Sequence, residues 1–214
     1  MVKISVIVPA YNEEKYIKET LLSIKNNLYE NKEIITVVNG CTDNTAEIAK
    51  AYSDKVIELD ETNVSKARNL GAQNASGDIL VFVDADTTLK NNVLSQIYNS
   101  KSQLGTTKVK PNTNKILDKQ LLNIRNKINK LGFVTGVLFC NKDLFFKAGK
   151  FDETRKVKEF KQLIKKMQKY ERYKVIDAYA INNMRRFEKE GYLKIIYYWL
   201  NWTINKDKKY KPIR

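Results

Sequence analysis

The chain has 214 residues and a formal net charge of +15, from 39 Lys and Arg against 24 Asp and Glu. That length suits one well-buried core, and no Pro/Gly/Ser-rich linker, internal repeat or low-complexity block divides it. With no histidine and only two cysteines, Cys41 and Cys140, imidazole acid–base chemistry, histidine metal ligation, a cysteine zinc pattern and a disulfide framework are excluded.

Met1-Val2-Lys3 runs directly into an apolar segment, Ile4 to Val8, which predicts a first strand and no signal peptide. After Asn12, the spacing of Ile17, Leu21, Ile24 and Leu28 predicts a helix laid on a sheet. Ile34 to Val38 reads as the second strand, and Thr42 or Asp43 can cap a helix through Ala46, Ile48 and Ala49. A short strand, Val56 to Leu59, is followed by a helix from about Ser65 to Asn74. Ile79 to Val83, bounded by Gly77-Asp78 and Asp84-Ala85-Asp86, then reads as a buried strand. This alternation predicts an α/β fold, a doubly wound and mostly parallel sheet with helices on both faces. Such sheets bind ligands at the carboxyl ends of their strands, where Pro9 to Glu13, Asn39 and Asp84 to Asp86 fall.

The second half is less regular. A helix is expected over roughly Asn91 to Lys101, and Val109 fits a short edge strand. Ile116 to Leu131 reads as a helix with Ile116, Leu121, Ile124, Ile128 and Leu131 along its apolar side. Val137 to Cys140 is a predicted strand, and Asp143 to Ala148 a short helix stopped by Gly149. Lys156 to Tyr170 reads as helical with Phe160, Leu163, Ile164 and Met167 inward. Tyr173 to Ile176 and Ala178 to Ile181 fit two strands.

Asp84 and Asp86 carry the first chemical signal. Two residues apart on an extended segment they would face one ligand, and hard oxygens suit Mg²⁺ or Mn²⁺, which complete their shells with substrate phosphates. The plain alternative is a solvated acidic turn. Ser5-Val6-Ile7-Val8-Pro9-Ala10-Tyr11-Asn12-Glu13-Glu14, Val37-Val38-Asn39-Gly40-Cys41-Thr42-Asp43, Lys66-Ala67-Arg68-Asn69-Leu70-Gly71 and the acidic strand follow one another in this order. Together they resemble the family-2 glycosyltransferases, enzymes of the GT-A fold that use nucleotide-diphospho-sugar donors. The resemblance runs from about Lys3 to Asp86, resumes at Gly136 to Glu159, and returns at Arg185-Arg186-Phe187.

The resemblance implies a metal-dependent, inverting glycosyltransferase of hexosyltransferase type. Pro9, Ala10, Tyr11 and Glu13 would hold the nucleotide, with Tyr11 offering a flat face to the base and Glu13 accepting from ribose or base. Glu13 and Glu14 as acids complementing a helix dipole are the alternative. Asn39 stands where an aspartate is commoner in the family. Arg68 and Lys66 would reach the base or phosphates, and a solvated helix face is the other reading. The Asp84-Ala85-Asp86 strand end would bind the donor, with Asp86 the better metal ligand and Asp84 near the ribose or sharing the metal. Gly136 would lie on the acceptor side. Arg185 and Arg186 would clamp diphosphate or acceptor as a short form of the family's Gln-x-x-Arg-Trp element. Where the family has a Glu-Asp pair opening a helix, this chain has Glu159-Phe160. Either Glu159 takes over as base, or the acceptor is already anionic, or activity is lost.

The positive charge crowds the second half, from Lys147 through Lys169 and over Lys206 to Arg214, which suggests an anionic partner. Tyr192, Ile195, Ile196, Trp199, Trp202 and Thr203 share one helical face among basic residues. That composition suits peripheral membrane contact, and docking on the domain's own core is the alternative. The single domain thus divides into a nucleotide-sugar-binding half (1–86), an acceptor-side half (87–190) and an amphipathic helix with a basic tail (191–214). The expected partners are a UDP- or GDP-linked donor and a glycan or lipid-phosphate acceptor such as a polyprenyl phosphate. The expected place is the cytoplasm, at the inner face of a membrane. Two rivals are a catalytically silent nucleotide-sugar-binding protein and a basic nucleic-acid-binding protein. The latter lacks RNP-like aromatics, zinc fingers and a helix-turn-helix.

Overall fold

A computed structural model describes residues 2–155 and 158–197. The first half alternates β1 (Ile4–Ala10), α1 (Ile17–Lys25), β2 (Lys32–Asn39), α2 (Thr45–Tyr52), β3 (Lys55–Leu59), α3 (Val64–Gln73) and β4 (Ile79–Val83). The second half holds β5 (Thr87–Leu89), α4 (Val93–Asn99), β6 (Leu104–Pro111), α5 (Ile116–Asn129), β7 (Val137–Asn141), α6 (Lys142–Lys147), α7 (Glu159–Met167), β8 (Lys174–Asn182) and α8 (Arg185–Glu190). Residues 192–197 are helical as well.

All eight strands form one sheet in the order β3-β2-β1-β4-β7-β6-β8-β5. The β3-β2-β1-β4 half is parallel throughout, as the alternation predicts. β7 enters antiparallel beside β4 and β6, β6 and β8 run parallel, and β5 closes the edge antiparallel to β8. The central strands are buried on both faces, which is why they read as unbroken apolar runs. Ile4, Val6 and Val8 pack on one side with Ile17, Leu21 and Ile24 of α1. Ile7 points to the other side, where Phe82 of β4 meets Phe145 and Phe151 at ring-centroid distances of 5.3 and 5.2 Å. α3 lies so close to β1 that a Cβ on Gly71 would come within 2.5 Å of the Ile7 side chain.

Glu33 ties β1, β2 and the turn before β4 together. Its carboxylate accepts from the Ser5 hydroxyl at 2.5 Å and from the Ser76 amide at 2.6 Å, and pairs with Lys3 at 3.3 Å. Burial would raise its pKa, but the hydrogen bonds from Ser5 and Ser76 outweigh that and hold it down to about 2.

Several expected elements differ. Val109 lies inside β6, an interior strand between β7 and β8, rather than on an edge. The two strands expected at 173–181 are one, β8, but its pairing with β6 breaks where the gap between them was expected: Thr107 pairs with Ile176 and Lys108 with Tyr179, so Asp177 and Ala178 bulge out of the ladder. α7 begins at Glu159, after Lys158 adopts a left-handed φ of 59°. α5 buries only part of the expected stripe: Leu121 is buried and Ile128 half-buried, but Ile116, Ile124 and Leu131 stay exposed with Leu117, and Asp118, Leu122 and Asn129 face inward instead. The buried polar members explain the shift, since Asp118 accepts hydrogen bonds from Thr113 and from Tyr192 (2.7 Å) and so is satisfied inside. Leu28 falls beyond the end of α1 and is exposed. The cap expected from Thr42 or Asp43 falls instead on Asn44, whose side chain makes no capping hydrogen bond; Asp43, one residue earlier, accepts from the Thr45 amide at 3.0 Å.

Candidate active site

The carboxyl ends of β1, β2 and β4 open into a cavity of about 650 Å³. Its floor holds Pro9, Tyr11, Glu13, Asn39, Arg68 and Asp84 to Asp86. Glu159, Gly136, Arg185 and Arg186 reach it from the second half of the chain, so residues from 9 to 186 line one space.

The acidic segment is a turn. After β4 ends at Val83, the Thr87 amide donates to the Asp84 carbonyl at 3.0 Å. Gly136 shapes that turn from below, its carbonyl accepting from the Asp84 amide at 3.0 Å. Its φ of +76° and the Thr87 side chain, 3.0 Å from where a Cβ would sit, leave room for glycine only. Because the segment turns, the two carboxylates do not share one partner, contrary to the expectation from an extended strand end. Asp84 Oδ1 accepts from Arg68 Nη2 at 3.0 Å, and Asp86 Oδ2 accepts from Arg185 Nη2 at 3.0 Å.

Arg185 joins the ends of the chain. The same Nη2 donates to Glu13 Oε1 at 2.6 Å, and the guanidinium lies 4.3 Å from the Tyr16 ring centroid. Arg68, whose side chain is only 4% exposed, donates through Nη1 to Glu159 Oε1 at 3.0 Å. Its guanidinium stacks on Phe160 at 4.1 Å and lies 5.4 Å from the Phe151 ring centroid. Phe160 therefore holds the face of Arg68, which is the work the aromatic does in place of a second acid. Asp84 still meets the open cavity over 37% of its side chain. Even so, the protein around it pushes its carboxyl up to about 6, with Arg68 opposing and Asp86 and Glu159 adding to the rise. Burial likewise raises Asp86 against the pull of Arg185.

Residues 5–188 match the model of Glycosyl transferase family 2. The chain is a member of that family. Over 91% of its length the family 2 chain is 30% identical to glycosyltransferase GlyG of Streptococcus pneumoniae, of which it spans 64%. It is 40% identical to GlyA of the same organism over 101 residues, only 14% of that protein. Among solved structures, Staphylococcus aureus TarS (residues 1–349, with UDP-GlcNAc) superposes at a TM-score of 0.67, with 23% identity over 84% of this chain and 58% of the other. The mannosyltransferase PcManGT of Pyrobaculum calidifontis, in complex with GDP-Man and Mn²⁺, gives 0.69 with 18% identity, covering 85% and 56%. These likenesses establish the GT-A fold of this family 2 member.

Among the described residues no group of three or more His, Cys, Asp or Glu side chains converges as a metal cage. The set present nonetheless suits a hard cation that shares its shell with a substrate. Oxygens of Glu13 and Asp86 converge on one Arg185 nitrogen, and Glu13 Oε2 is buried without a hydrogen-bond partner. The acid drawn beside Asp86 at this point is Glu13, while Asp84 is engaged by Arg68.

Two expected donor residues of the family 2 chain lie outside the cavity lining. Ala10 is buried in β1, where its carbonyl accepts from the Cys41 thiol at 3.4 Å. Lys66 is on the outer face of α3 with its ammonium paired to Glu61. Glu14 serves the fold, its Oε2 accepting from the Asn44 amide at 3.2 Å. Sequence reasoning gave Arg125 no site role and read Arg155, Lys158 and Lys161 only as part of a basic stretch, yet all four line the cavity. Arg125 sits on a helix expected to be merely amphipathic, and its Nε–Thr135 hydrogen bond of 2.7 Å holds it inward.

Proposed function

We propose that the chain transfers a hexose from a UDP- or GDP-linked donor to an acceptor hydroxyl or phosphate oxygen, with inversion at the anomeric carbon. The observation that carries this reading is the cavity floor at the carboxyl edge, where Glu13, Asp84 and Asp86 meet Arg68 and Arg185. The nucleotide-sugar complexes of TarS and PcManGT support a donor of this class. Tyr11, Pro9 and Asn39 would take the nucleoside, and Arg185 the diphosphate, for which a guanidinium is suited. Asp86 and Glu13, with Asp84 close by, would hold Mg²⁺ or Mn²⁺. When bound, such an ion supplies charge stabilisation for the departing diphosphate. Glu159 would take the acceptor proton. Its Oε1 accepts from Arg68 Nη1 at 3.0 Å, which fixes the side chain.

A second reading has a specific observation behind it. Glu159 is committed to Arg68 and Phe160 occupies the other face of that guanidinium, an arrangement that would also suit a silent nucleotide-sugar binder. One assay separates them: incubation with UDP-GlcNAc or GDP-Man, Mn²⁺ and candidate acceptors, followed by nucleotide release. Release that requires acceptor supports transfer, and tight donor binding without turnover supports the silent binder.

The acceptor is proposed to be a glycan or lipid phosphate, met in peripheral contact at the cytoplasmic face of a membrane. No described helix is long and apolar enough to cross one. The face expected to touch lipid turns inward where it is described: Ile195 is buried, and Tyr192 and Ile196 pack against the core. Trp199, Trp202, Thr203 and the tail lie outside the described residues. On the helix over 192–197 Leu193 and Tyr197 stay exposed, and a further exposed apolar set, Ile116, Leu117, Ile124 and Leu131, lies beside Lys119, Lys127 and Lys130.

A further inference from the structure

On the cavity floor every carboxylate named above is answered by a guanidinium, Arg68 or Arg185. The outer wall is different. Arg125, Arg155, Lys158, Lys161 and Arg186 line it against one further acid, Glu153, which accepts from Asn69 Nδ2 at 2.8 Å. Arg155 and Arg186 each have a partner outside the lining, Asp152 and Glu190, both at 3.4 Å. Among the described residues neither Lys158 nor Lys161 has a carboxylate within ion-pair distance. Lys158 stands in a left-handed conformation at the mouth of α7. Lys161 follows one turn on, its ammonium 3.8 Å from the centroid of the Phe133 ring, which also lines the cavity. Burial lowers the Lys161 pKa, and Lys158 and Lys165 lower it further, so these cations repel one another.

Crowding like charges at a cavity mouth costs stability unless an anion is gathered there. The donor's diphosphate does not account for it, because the floor already offers Arg185 to that group. We propose that Lys158 and Lys161, on the Phe133 side of the cavity, form a subsite for a phosphate group of the acceptor, so that the acceptor is a phosphate ester rather than a neutral glycan. This rests on the transferase reading above. The phosphate is either a monoester on a lipid or a diester along a polyol chain, and both present the same singly or doubly charged oxygens to the two ammonium groups.

The test uses the full chain in two arms at low salt. One titrates a soluble ribitol-phosphate oligomer, and the other uses phosphatidylcholine vesicles carrying a polyprenyl phosphate, with a neutral glycan as control. Binding is expected in one arm and not to the glycan, and Lys158→Glu with Lys161→Glu should weaken it by at least about tenfold. UDP or GDP affinity should stay within about twofold. A Lys18→Glu, Lys25→Glu pair, on the exposed face of α1 and away from both the cavity and the α5 apolar face, controls for general charge. Equal losses in the two double variants, an unchanged affinity in the first, or binding in neither arm by a chain that still binds nucleotide would overturn the subsite. A chain that binds neither UDP nor GDP refutes the transferase reading itself.

Discussion

Replacing Arg68 with Met should destabilise the protein in a pH-dependent way. The guanidinium is 4% exposed and serves Asp84 and Glu159 at 3.0 Å each while stacking on Phe160. Removing one partner of a buried ion pair costs roughly 3–5 kcal/mol. Asp84 faces the open cavity over a third of its side chain, so solvent screening brings this to about 3 kcal/mol. For a domain of this size that lowers Tm by roughly 6–12 °C. The Asp84 carboxyl is raised to about 6 in the folded chain, first by burial. Its ionised form therefore costs stability above that pH, and the cost vanishes below the unfolded value near 3.8. Without Arg68 the cost at pH 8 grows, whereas at pH 5 Asp84 is largely neutral and has less need of a partner. Urea unfolding of wild type and Arg68→Met at both pH values reads this directly, and adding Asp84→Asn should restore part of the loss at pH 8. A loss below about 1 kcal/mol at pH 8, or the same loss at both pH values, would refute the reasoning.

Glu159→Gln should lower kcat by roughly 10²–10⁴-fold while leaving nucleotide affinity nearly unchanged, since a base acts on the acceptor; full activity would remove it from that role. Glu33, 17% exposed and held down to about 2 from 4.5, contributes about 3 kcal/mol that is fully present above pH 4.5 and lost as pH falls toward 2. Glu33→Gln should therefore flatten the acid limb of the stability curve in urea melts. Anionic vesicles should retain the chain at low salt, and Leu117→Glu with Ile124→Glu on the exposed side of α5 should release it in a flotation assay. Equal flotation of variant and wild type would move the contact elsewhere.

The first half of the fold was legible because its signals are local. Buried parallel strands read as apolar runs, the helices between them carry one stripe each, and Asn39 and Asp84 fall at strand ends whatever the tertiary detail. The second half depends on pairings that no window contains. β6 becomes interior only because β7 inserts antiparallel beside β4, and α5 chose its buried face through Asp118 and Asn129, polar residues that a hydrophobic stripe discounts. At the site, motif positions put Glu13, Arg68, Asp84, Asp86, Glu159 and Arg185 in one cavity. Their pairing was not legible. That Glu13 and Asp86 meet through Arg185, across 172 residues of sequence from Glu13, follows from the chain returning along β8 into α8. Lys66 shows the opposite error, since two residues along a helix from Arg68 it points to a different side.

The cavity floor should bind a nucleotide diphosphate together with a divalent ion held at Asp86. Thermal shift with UDP and GDP, in Mn²⁺ and in EDTA, tests it on wild type and Asp86→Ala. At about 100-fold excess over Kd, one nucleotide should stabilise the wild type by about 2.7 kcal/mol in Mn²⁺, and much less in EDTA. The variant should show the small shift under both conditions. An equal shift with and without metal in the wild type, or an unaltered metal dependence in Asp86→Ala, would contradict it.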